Sequence, residues 1–167
     1  MDAVAPVPVV AAGGIADGHG LAAALTLGAQ GVNIGTRFVA STEAAVSEDW
    51  KRRIVAASSE DAVKILFADA VFPPPSPGGC SGPSPRVLRT PFVDEWNAGP
   101  SDGPTEAERL RAELLMALCE ERGHELTPFT GQTTGLIHEI LPVREIISRR
   151  VNEAAQAPQL ASGHAFR

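Results

Sequence analysis

The first forty residues divide into blocks of apolar and helix-forming residues. Val7–Ala12 is a near-continuous apolar run rich in valine, which is typical of a parallel strand covered on both faces. Asp17 can then cap a helix, and one face of that helix carries the residues Leu21, Ala24, Leu25 and Gly28. Gly28 suits a helix C-terminus, and Gly31–Ile34 follows as a second short apolar strand. The pattern predicts a strand–helix–strand unit with parallel pairing and a right-handed crossover.

A second helix is predicted to start near Ser47. Two acidic residues, Glu48 and Asp49, stand in its first turn, where negative charge favours a helix N-terminus. The inward positions of this helix are Trp50, Ile54 and Ala57. After it, the stretch SSEDAVKILFADAVF predicts a turn that leads into an extended segment.

Residues 73–104 are predicted to be loop-like because PPPSPGGCSGPSP is too rich in proline and glycine for regular structure. Within this region, Arg86–Trp96 carries valine, leucine, phenylalanine and tryptophan. These side chains favour burial, so we expect an ordered arm lying on the domain surface.

Two more helices are predicted in the last third of the chain. Pro104 opens the first, whose apolar stripe contains Leu110, Leu114, Ala117 and Leu118, and Gly123 is expected to end it. Pro142 opens the second, with Val143, Ile146, Ile147, Arg150 and Val151 at amphipathic spacing. The tail after Ala155 is predicted to be frayed.

Composition indicates one compact domain that does not bind nucleic acid. The chain has 167 residues, of which 44% are hydrophobic and 20% charged, and this composition is typical of a globular protein. The formal net charge is −6 and the basic residues are scattered, whereas nucleic-acid binding needs clustered lysine and arginine. Acidic and basic pairs on the predicted helices are therefore interpreted as solvated faces.

Cysteine usage and the N-terminus are typical of a cytoplasmic protein. Cys80 and Cys119 are the only cysteines and do not form a C-x-x-C pair, so they indicate no zinc or redox site. We expect Cys80 to be exposed and Cys119 to be a small core residue. The chain lacks a signal-peptide pattern at its start, and no stretch approaches the ~20 apolar residues that span a bilayer. A membrane partner is therefore not expected.

Two glycine turns follow the two predicted parallel strands. Gly13 and Gly14 end the first strand, and the quartet Asn33, Ile34, Gly35 and Thr36 ends the second. Ligands bind at this end of parallel strands, and the last loops of (β/α)8 barrels often form a phosphate site. Glycine lets a phosphate approach the backbone N–H groups, and the Thr36 hydroxyl adds a donor. The pair of turns is much more specific than either turn alone.

The stretch with both turns resembles the nitronate monooxygenase family, formerly called 2-nitropropane dioxygenases. The resemblance continues through STEAAVSEDWKRRIVAASSEDAV, RVLRTPFVDEWN and FTGQTTGLIHEILPVREII, and so covers nearly the whole chain. It implies an FMN-containing (β/α)8 barrel that oxidises alkyl nitronates with O2. It also implies that the FMN-binding positions are Gly13, Gly14, Asn33, Ile34, Gly35 and Thr36.

The chain departs from the family at the catalytic base. In the family this base is a histidine in an AGGH motif on an earlier barrel strand, whereas Gly14 is followed here by Ile15. His19, His124, His138 and His164 match no catalytic position, so no catalytic residue is assigned and no metal site is expected. Trp50 is interpreted as a core residue rather than a flavin-stacking one.

We therefore predict an α/β fold that is the C-terminal part of a (β/α)8 TIM barrel, with a helical C-terminal extension. Met1 is expected to correspond to a position inside a longer ancestral protein, because a full barrel takes about 250 residues. The predicted divisions are the last βα units, a loop and surface arm, a helical extension and a frayed tail, at residues 1–72, 73–104, 105–155 and 156–167.

Three functions stay open from the sequence. The first is an FMN-dependent nitronate monooxygenase, present as its phosphate-binding portion, with a small alkyl nitronate and O2 as substrates and weak FMN affinity. The second is the related flavin-dependent enoyl-acyl-carrier-protein reductase, although GQTTGLIHEI favours the first. The third is a non-catalytic remnant whose uncovered strands would be unstable alone or would pack against a partner. A homo-oligomer is one way to cover such strands.

Overall fold

The chain forms two compact groups of helices and strands. A computed structural model describes residues 2–65, 85–99 and 104–164. The first unit combines Met1–Ser59 with Thr133–Arg167, and the second is Glu60–Gln132. The sequence predicted one compact domain, and the described residues instead group into these two units. We call them the glycine-turn unit and the second unit.

The glycine-turn unit contains the predicted strand–helix–strand arrangement. Strand β1 (Val10–Ala12), helix α1 (Gly18–Thr26) and strand β2 (Gly31–Asn33) follow one another along the chain. The two strands pair in parallel, with Val10 opposite Gly31 and Ala12 opposite Asn33. Their last residues are therefore level, and the two glycine turns leave the sheet at the same edge.

Strand β1 is less covered than its apolar sequence predicted. It is shorter than Val7–Ala12, and Val7 and Val10 are 64% and 58% exposed. Within residues 2–65, 85–99 and 104–164, β1 pairs with β2 alone. The prediction of burial on both faces is wrong for this strand. The apolar pattern of a sequence shows which residues favour burial, but it does not show whether another element covers them.

Capping residues set the helix boundaries in this unit. The Asp17 carboxylate accepts a hydrogen bond from the Gly20 amide (2.8 Å) at the start of α1, and Gly28 follows the helix with a φ of 96°. Helix α2 is a single turn (Thr36–Val39). Helix α3 (Glu48–Ala56) begins after Ser47, whose hydroxyl accepts from the Trp50 amide. These observations confirm the predicted cap at Asp17 and the predicted helix start near Ser47, where the serine side chain is the cap.

The longest helix of the described chain, α7, completes the glycine-turn unit. It covers Val143–His164, directly after Pro142, with Ile146 buried. It packs along α1. The predicted frayed tail after Ala155 is instead helical as far as His164, with Pro158 inside the helix.

The second unit has its own core. Strand β3 (Ala62–Lys64) pairs antiparallel with β4 (Arg86–Leu88). The described residues after β4 form the helices α4 (Pro91–Ala98), α5 (Pro104–Cys119) and α6 (Gly123–Leu126). Buried apolar side chains from these elements pack together, namely Ile65, Val87, Phe92, Val93, Trp96, Leu110 and Leu114.

Short 3-10 turns occupy Asp2–Val4, Ser59–Asp61 and Gln132–Leu136.

Two predictions for this region differ from the structure. Arg86–Trp96 is not a surface arm: it forms β4 and most of α4, and Val87 and Val93 are fully buried. Cys119 ends α5 and is exposed, not a core residue. The proline-rich loop, Cys80 and the last three residues lie outside the described residues, since these omit 66–84, 100–103 and 165–167.

None of the described helices is both long enough and apolar enough to cross a membrane.

Candidate functional site

The structure brings the two predicted glycine turns to one edge of the parallel sheet. Ala12 and Asn33 are paired residues at the ends of β1 and β2. Gly13 and Gly14 therefore begin one turn beside the point where Ile34 and Gly35 begin the other. Five of these six predicted site positions, counting Thr36, follow directly on a strand end.

Gly13 and Gly14 need to be glycine for conformational reasons. Their φ angles are 81° and 74°, in the left-handed region that side chains disfavour. Both residues are exposed, and no heavy atom lies within 4 Å of where a Cβ would stand. The backbone of this turn therefore faces open space.

Gly35 has no such conformational reason. Its φ of −94° suits any residue, and the position of a Cβ is again free of neighbours within 4 Å. It precedes α2 without a side-chain cap, and Thr36 is the first residue of that helix. Protein packing and backbone strain therefore leave the glycine at position 35 unexplained, whereas a ligand that approaches the backbone closely would explain it.

Asn33 and Ile34 lie on opposite sides of the sheet edge. Asn33 is exposed at the end of β2, next to the glycine turns. Ile34 is half-buried and lines a cavity of about 200 Å³ with side chains from α1, α2, β2 and α7, which are Leu21, Val32, Phe38, Ile147, Arg150 and Val151. At the turn itself, Ile34 therefore offers its backbone rather than its side chain.

The N-terminus of α1 is already occupied by two carboxylates. Asp17 accepts from the Gly20 amide, and Glu153 of α7 accepts from the Gly18 amide (2.9 Å). Burial opposes ionisation of Glu153, but bonds from the Gly18 amide and Arg150 lower its pKa below the ordinary value. An added anion is therefore better accommodated at the strand-end turns than at α1.

Gly18 is a residue whose role the sequence reasoning missed. A Cβ here would stand 2.2 Å from the Glu153 Cβ and 2.6 Å from the Arg150 carbonyl oxygen. Gly18 therefore permits α1 to lie directly against α7. No signal in the sequence identifies this contact, because its two sides are 135 residues apart.

Arg37 is a second residue missed from the sequence. Its side chain is 1% exposed, and its Nη1 donates to the backbone carbonyl of Glu139 at 2.9 Å. Desolvation, and then the charge of Arg150, lower the pKa of Arg37. From the sequence alone, an arginine directly after a glycine turn is expected to be exposed, because arginine is rarely buried in folded proteins.

The described histidine side chains lie in different places and are not assigned a role. His19 is exposed on α1, with its Nδ1 3.9 Å from an Asp17 oxygen, and His138 is exposed in the segment before α7. His124 belongs to the second unit. In the part of the chain that the structure describes, no three histidine, cysteine or acidic side chains are placed to hold a metal.

Charged pairs on the helices of the second unit are solvated. Arg109 contacts Glu95, Glu106 and Glu113, and each of these four side chains is at least one-fifth exposed. Hydrogen bonding to Glu106 is the largest effect, and it raises the pKa of Arg109. Exposed pairs of this kind contribute little to stability and do not indicate a site.

Comparison with known proteins identifies relatives along most of the chain. The nitronate monooxygenase family profile matches residues 1–153. The nitronate monooxygenase of Paraburkholderia phytofirmans is 51% identical over 154 residues, which cover 90% of this chain and 38% of that protein. FabK from Thermotoga maritima has a TM-score of 0.74 and 38% identity, covering 95% of this chain and 47% of that one.

A second solved structure is also similar to this chain over most of its length. Nitroalkane oxidase from Streptomyces ansochromogenes has a TM-score of 0.67 and 25% identity, covering 96% of this chain and 42% of that one. The chain thus spans less than half the length of these proteins, and about two fifths of the curated relatives that it matches along most of its length. The family profile covers most of the chain, and so the chain belongs to the nitronate monooxygenase family.

Proposed function

We propose that the chain carries the phosphate-binding portion of an FMN-dependent oxidoreductase of the nitronate monooxygenase type. The observation that supports this most directly is the open space beside Gly13, Gly14 and Gly35, at the level ends of two parallel strands. The corresponding fold is the last βα units of a (β/α)8 barrel, which the likeness to FabK and nitroalkane oxidase supports.

The residues present fit a phosphomonoester. Gly13, Gly14 and Gly35 leave room for its oxygens close to the backbone, where N–H groups can donate to them. The hydroxyl of Thr36 is a further donor type at the same turn. Bound flavin would supply the redox chemistry, in which electrons leave an alkyl nitronate and reach O2. The chain has Ala12-Gly13-Gly14-Ile15 and no AGGH motif, so its part in this chemistry is to hold the cofactor.

The reductase is a second candidate for a specific reason. FabK, an enoyl-acyl-carrier-protein reductase, matches 95% of this chain with a TM-score of 0.74. Both activities would use the same phosphate turns, so those turns alone do not separate them. An enzyme assay with a nitronate and O2, against one with a nicotinamide and an enoyl thioester, distinguishes the two.

A titration with FMN and riboflavin tests phosphate binding, which both candidate activities would need. The two ligands differ only in the phosphate, so a preference for FMN measures phosphate recognition. We expect the chain to bind FMN more tightly than riboflavin, and Gly35→Ala to remove that preference because its methyl group would occupy the open space. Isothermal titration calorimetry and flavin fluorescence measure both affinities.

Gly31→Ala is the matched control for Gly35→Ala. Gly31 lies in β2, also has no heavy atom within 4 Å of a Cβ position, and has no positive φ. We expect this variant to keep the preference for FMN. Equal binding of the two ligands by the unsubstituted chain would contradict the proposed function and favour the non-catalytic remnant.

A further inference from the structure

Arg37 connects the second glycine turn to the segment that precedes α7. It follows Thr36 directly, and its Nη1 donates to the Glu139 carbonyl (2.9 Å) and, with a longer bond of 3.4 Å, to the Ala40 carbonyl. The guanidinium therefore lies between the end of α2 and a part of the chain 102 residues away.

The bonds around Arg37 are what hold α2 in place. A helix of one turn is not stable by itself, because nucleation costs more than one turn of hydrogen bonds returns. After α2, Ser41 forms a parallel bridge with Leu141, and the Thr42 amide donates to the Leu141 carbonyl at 3.1 Å. One end of α2 thus carries the Gly35–Thr36 turn, and the other end is tied to Glu139–Leu141.

Burying Arg37 costs more free energy than is needed to hold α2 in place. Its Nε and Nη2 are buried, and within the described residues no acceptor lies within hydrogen-bond distance of them. An unpaired buried donor is destabilising, and a buried charge more so. Uncharged residues of similar volume brace a fold equally well or better. The presence of a guanidinium here therefore favours a role for its charge.

Within the described residues, no carboxylate forms an ion pair with Arg37, which leaves that role to an anion. Burial, and then the charge of Arg150, lower the pKa of Arg37, whereas the charge of Glu139 raises it. The carboxylate of Glu139 is paired with Arg149 (2.6 Å), and that of Glu153 with Arg150 (2.8 Å). A phosphate at the adjacent turn would gain from a positive charge that water does not screen.

We propose that Arg37 is a positioning residue for the phosphate turn, and that its buried charge, held on the Glu139 carbonyl, makes the turn selective for a dianionic phosphomonoester. This inference rests on the proposed function and deepens it. Arg37 acts through the backbone of Gly35 and Thr36 and is not itself assigned a contact with the ligand.

The test compares three variants by their affinities for FMN, riboflavin and inorganic phosphate. Arg37→Met keeps the volume and removes the charge, and Arg37→Lys keeps the charge but loses the planar fork. Arg89→Met is the control, because Arg89 is an exposed arginine paired with Asp94 in the second unit. Thermal unfolding, followed by circular dichroism, is measured for each variant in parallel.

We expect Arg37→Met to lose about tenfold of the preference for FMN over riboflavin, the size expected when one charge-assisted interaction is lost. Arg37→Lys should restore part of that preference, and Arg89→Met should keep all of it. Inorganic phosphate should compete with FMN on the unsubstituted chain and only weakly on Arg37→Met.

A lower melting temperature of Arg37→Met with an unchanged preference for FMN would overturn the inference, because a purely structural brace predicts that result. If Arg37→Met does not fold, Arg37→Lys decides: a preference for FMN that is kept in part or in full, at a lower melting temperature, supports a role of the charge, and complete loss contradicts it. Equal affinity of the unsubstituted chain for FMN and riboflavin would instead contradict the proposed function, and this inference with it.

Discussion

Glycines of this chain serve two different purposes at the residue scale. Gly13, Gly14 and Gly35 border open space, whereas Gly18 is enclosed by Glu153 and the α7 backbone. The first group leaves open space beside the backbone, where we propose that a phosphate binds, and Gly18 leaves room for helix α7. The same residue type therefore keeps one end of a short segment open and lets the other end pack closely.

Substitution of Gly18 by alanine should destabilise the protein strongly. The added Cβ would meet the Arg150 carbonyl oxygen at 2.6 Å and the Ala154 nitrogen at 2.7 Å, so α1 and α7 would have to separate. We expect a loss of about 2–3 kcal/mol in the free energy of unfolding, as for other overpacked sites. Chemical denaturation monitored by circular dichroism measures this loss.

Gly20→Ala is the control for that experiment. The nearest atoms to its Cβ position are at 3.4 Å, an ordinary contact distance. Alanine also favours a helix over glycine by about 1 kcal/mol, so this variant should be as stable as the parent or more so. Similar losses from both variants would show that the contact of α1 with α7 does not decide the stability.

Sequence reasoning could predict the residues whose reason is local. Gly13 and Gly14 end an apolar strand, and their positive φ angles follow from that position. Gly18 and Arg37 could not be assigned, because their reasons are Glu153 and Glu139, which lie more than a hundred residues away in the chain. A contact between residues so far apart in the chain produces no periodic pattern in the sequence, so it is visible only in the folded structure.

At the scale of helices and strands, capping residues and prolines predicted well where the helices start. Asp17, Ser47 and Pro142 stand directly before helices α1, α3 and α7, as their side chains or fixed φ favour. The prediction failed for Arg86–Trp96, which was expected to be an ordered arm on the domain surface. The Thr90 hydroxyl there accepts a hydrogen bond from the Val93 amide and starts α4, and composition alone does not reveal such a cap.

Helix α7 is capped by a carboxylate from a distant part of the same unit. Both carboxylate oxygens of Glu43 lie at 2.9–3.0 Å from the Val143 nitrogen, and Thr42 donates to the same group at 2.8 Å. The bond from Val143, followed by that from Thr42, lowers the pKa of Glu43 below its ordinary value of 4.5. A group with a lowered pKa stabilises the fold above that ordinary value and loses its contribution as the pH falls below it.

Glu43→Gln should therefore flatten the acid side of the stability profile. We expect a lower melting temperature at neutral pH than for the unsubstituted chain, and a smaller decrease between about pH 5 and about pH 3. Glu60→Gln, at an exposed carboxylate to which the described residues donate no hydrogen bond, is the control. Parallel profiles for Glu43→Gln and the unsubstituted chain would contradict a role of the ionised cap.

At the scale of the whole molecule, strand β1 of the glycine-turn unit stays exposed together with the residues before it. Val7 and Val10 present branched apolar side chains to solvent, at 64% and 58% exposure. An exposed apolar strand edge is a template for pairing with another chain. Self-association through β1 is therefore the expected behaviour of the chain when it is concentrated.

Val10→Lys should reduce that self-association. A lysine on an edge strand opposes pairing by charge and by hydration. Sedimentation velocity over a range of concentrations should show larger species for the unsubstituted chain than for this variant. Leu27→Lys is the control, because Leu27 is 76% exposed but lies at the end of α1 and not on the sheet. An equal reduction by both variants would indicate a general effect of charge.

The bond between Glu153 and Gly18 also fixes an order of events during synthesis. A ribosome adds Glu153 135 residues after Gly18, so α1 lacks its second N-terminal acceptor until those residues have been made. Glu139 likewise reaches Arg37 only late. The glycine turns therefore leave the ribosome long before the residues that supply the distant bonds of α1 and α2, and a nascent chain stopped before residue 139 would carry the turns without those bonds.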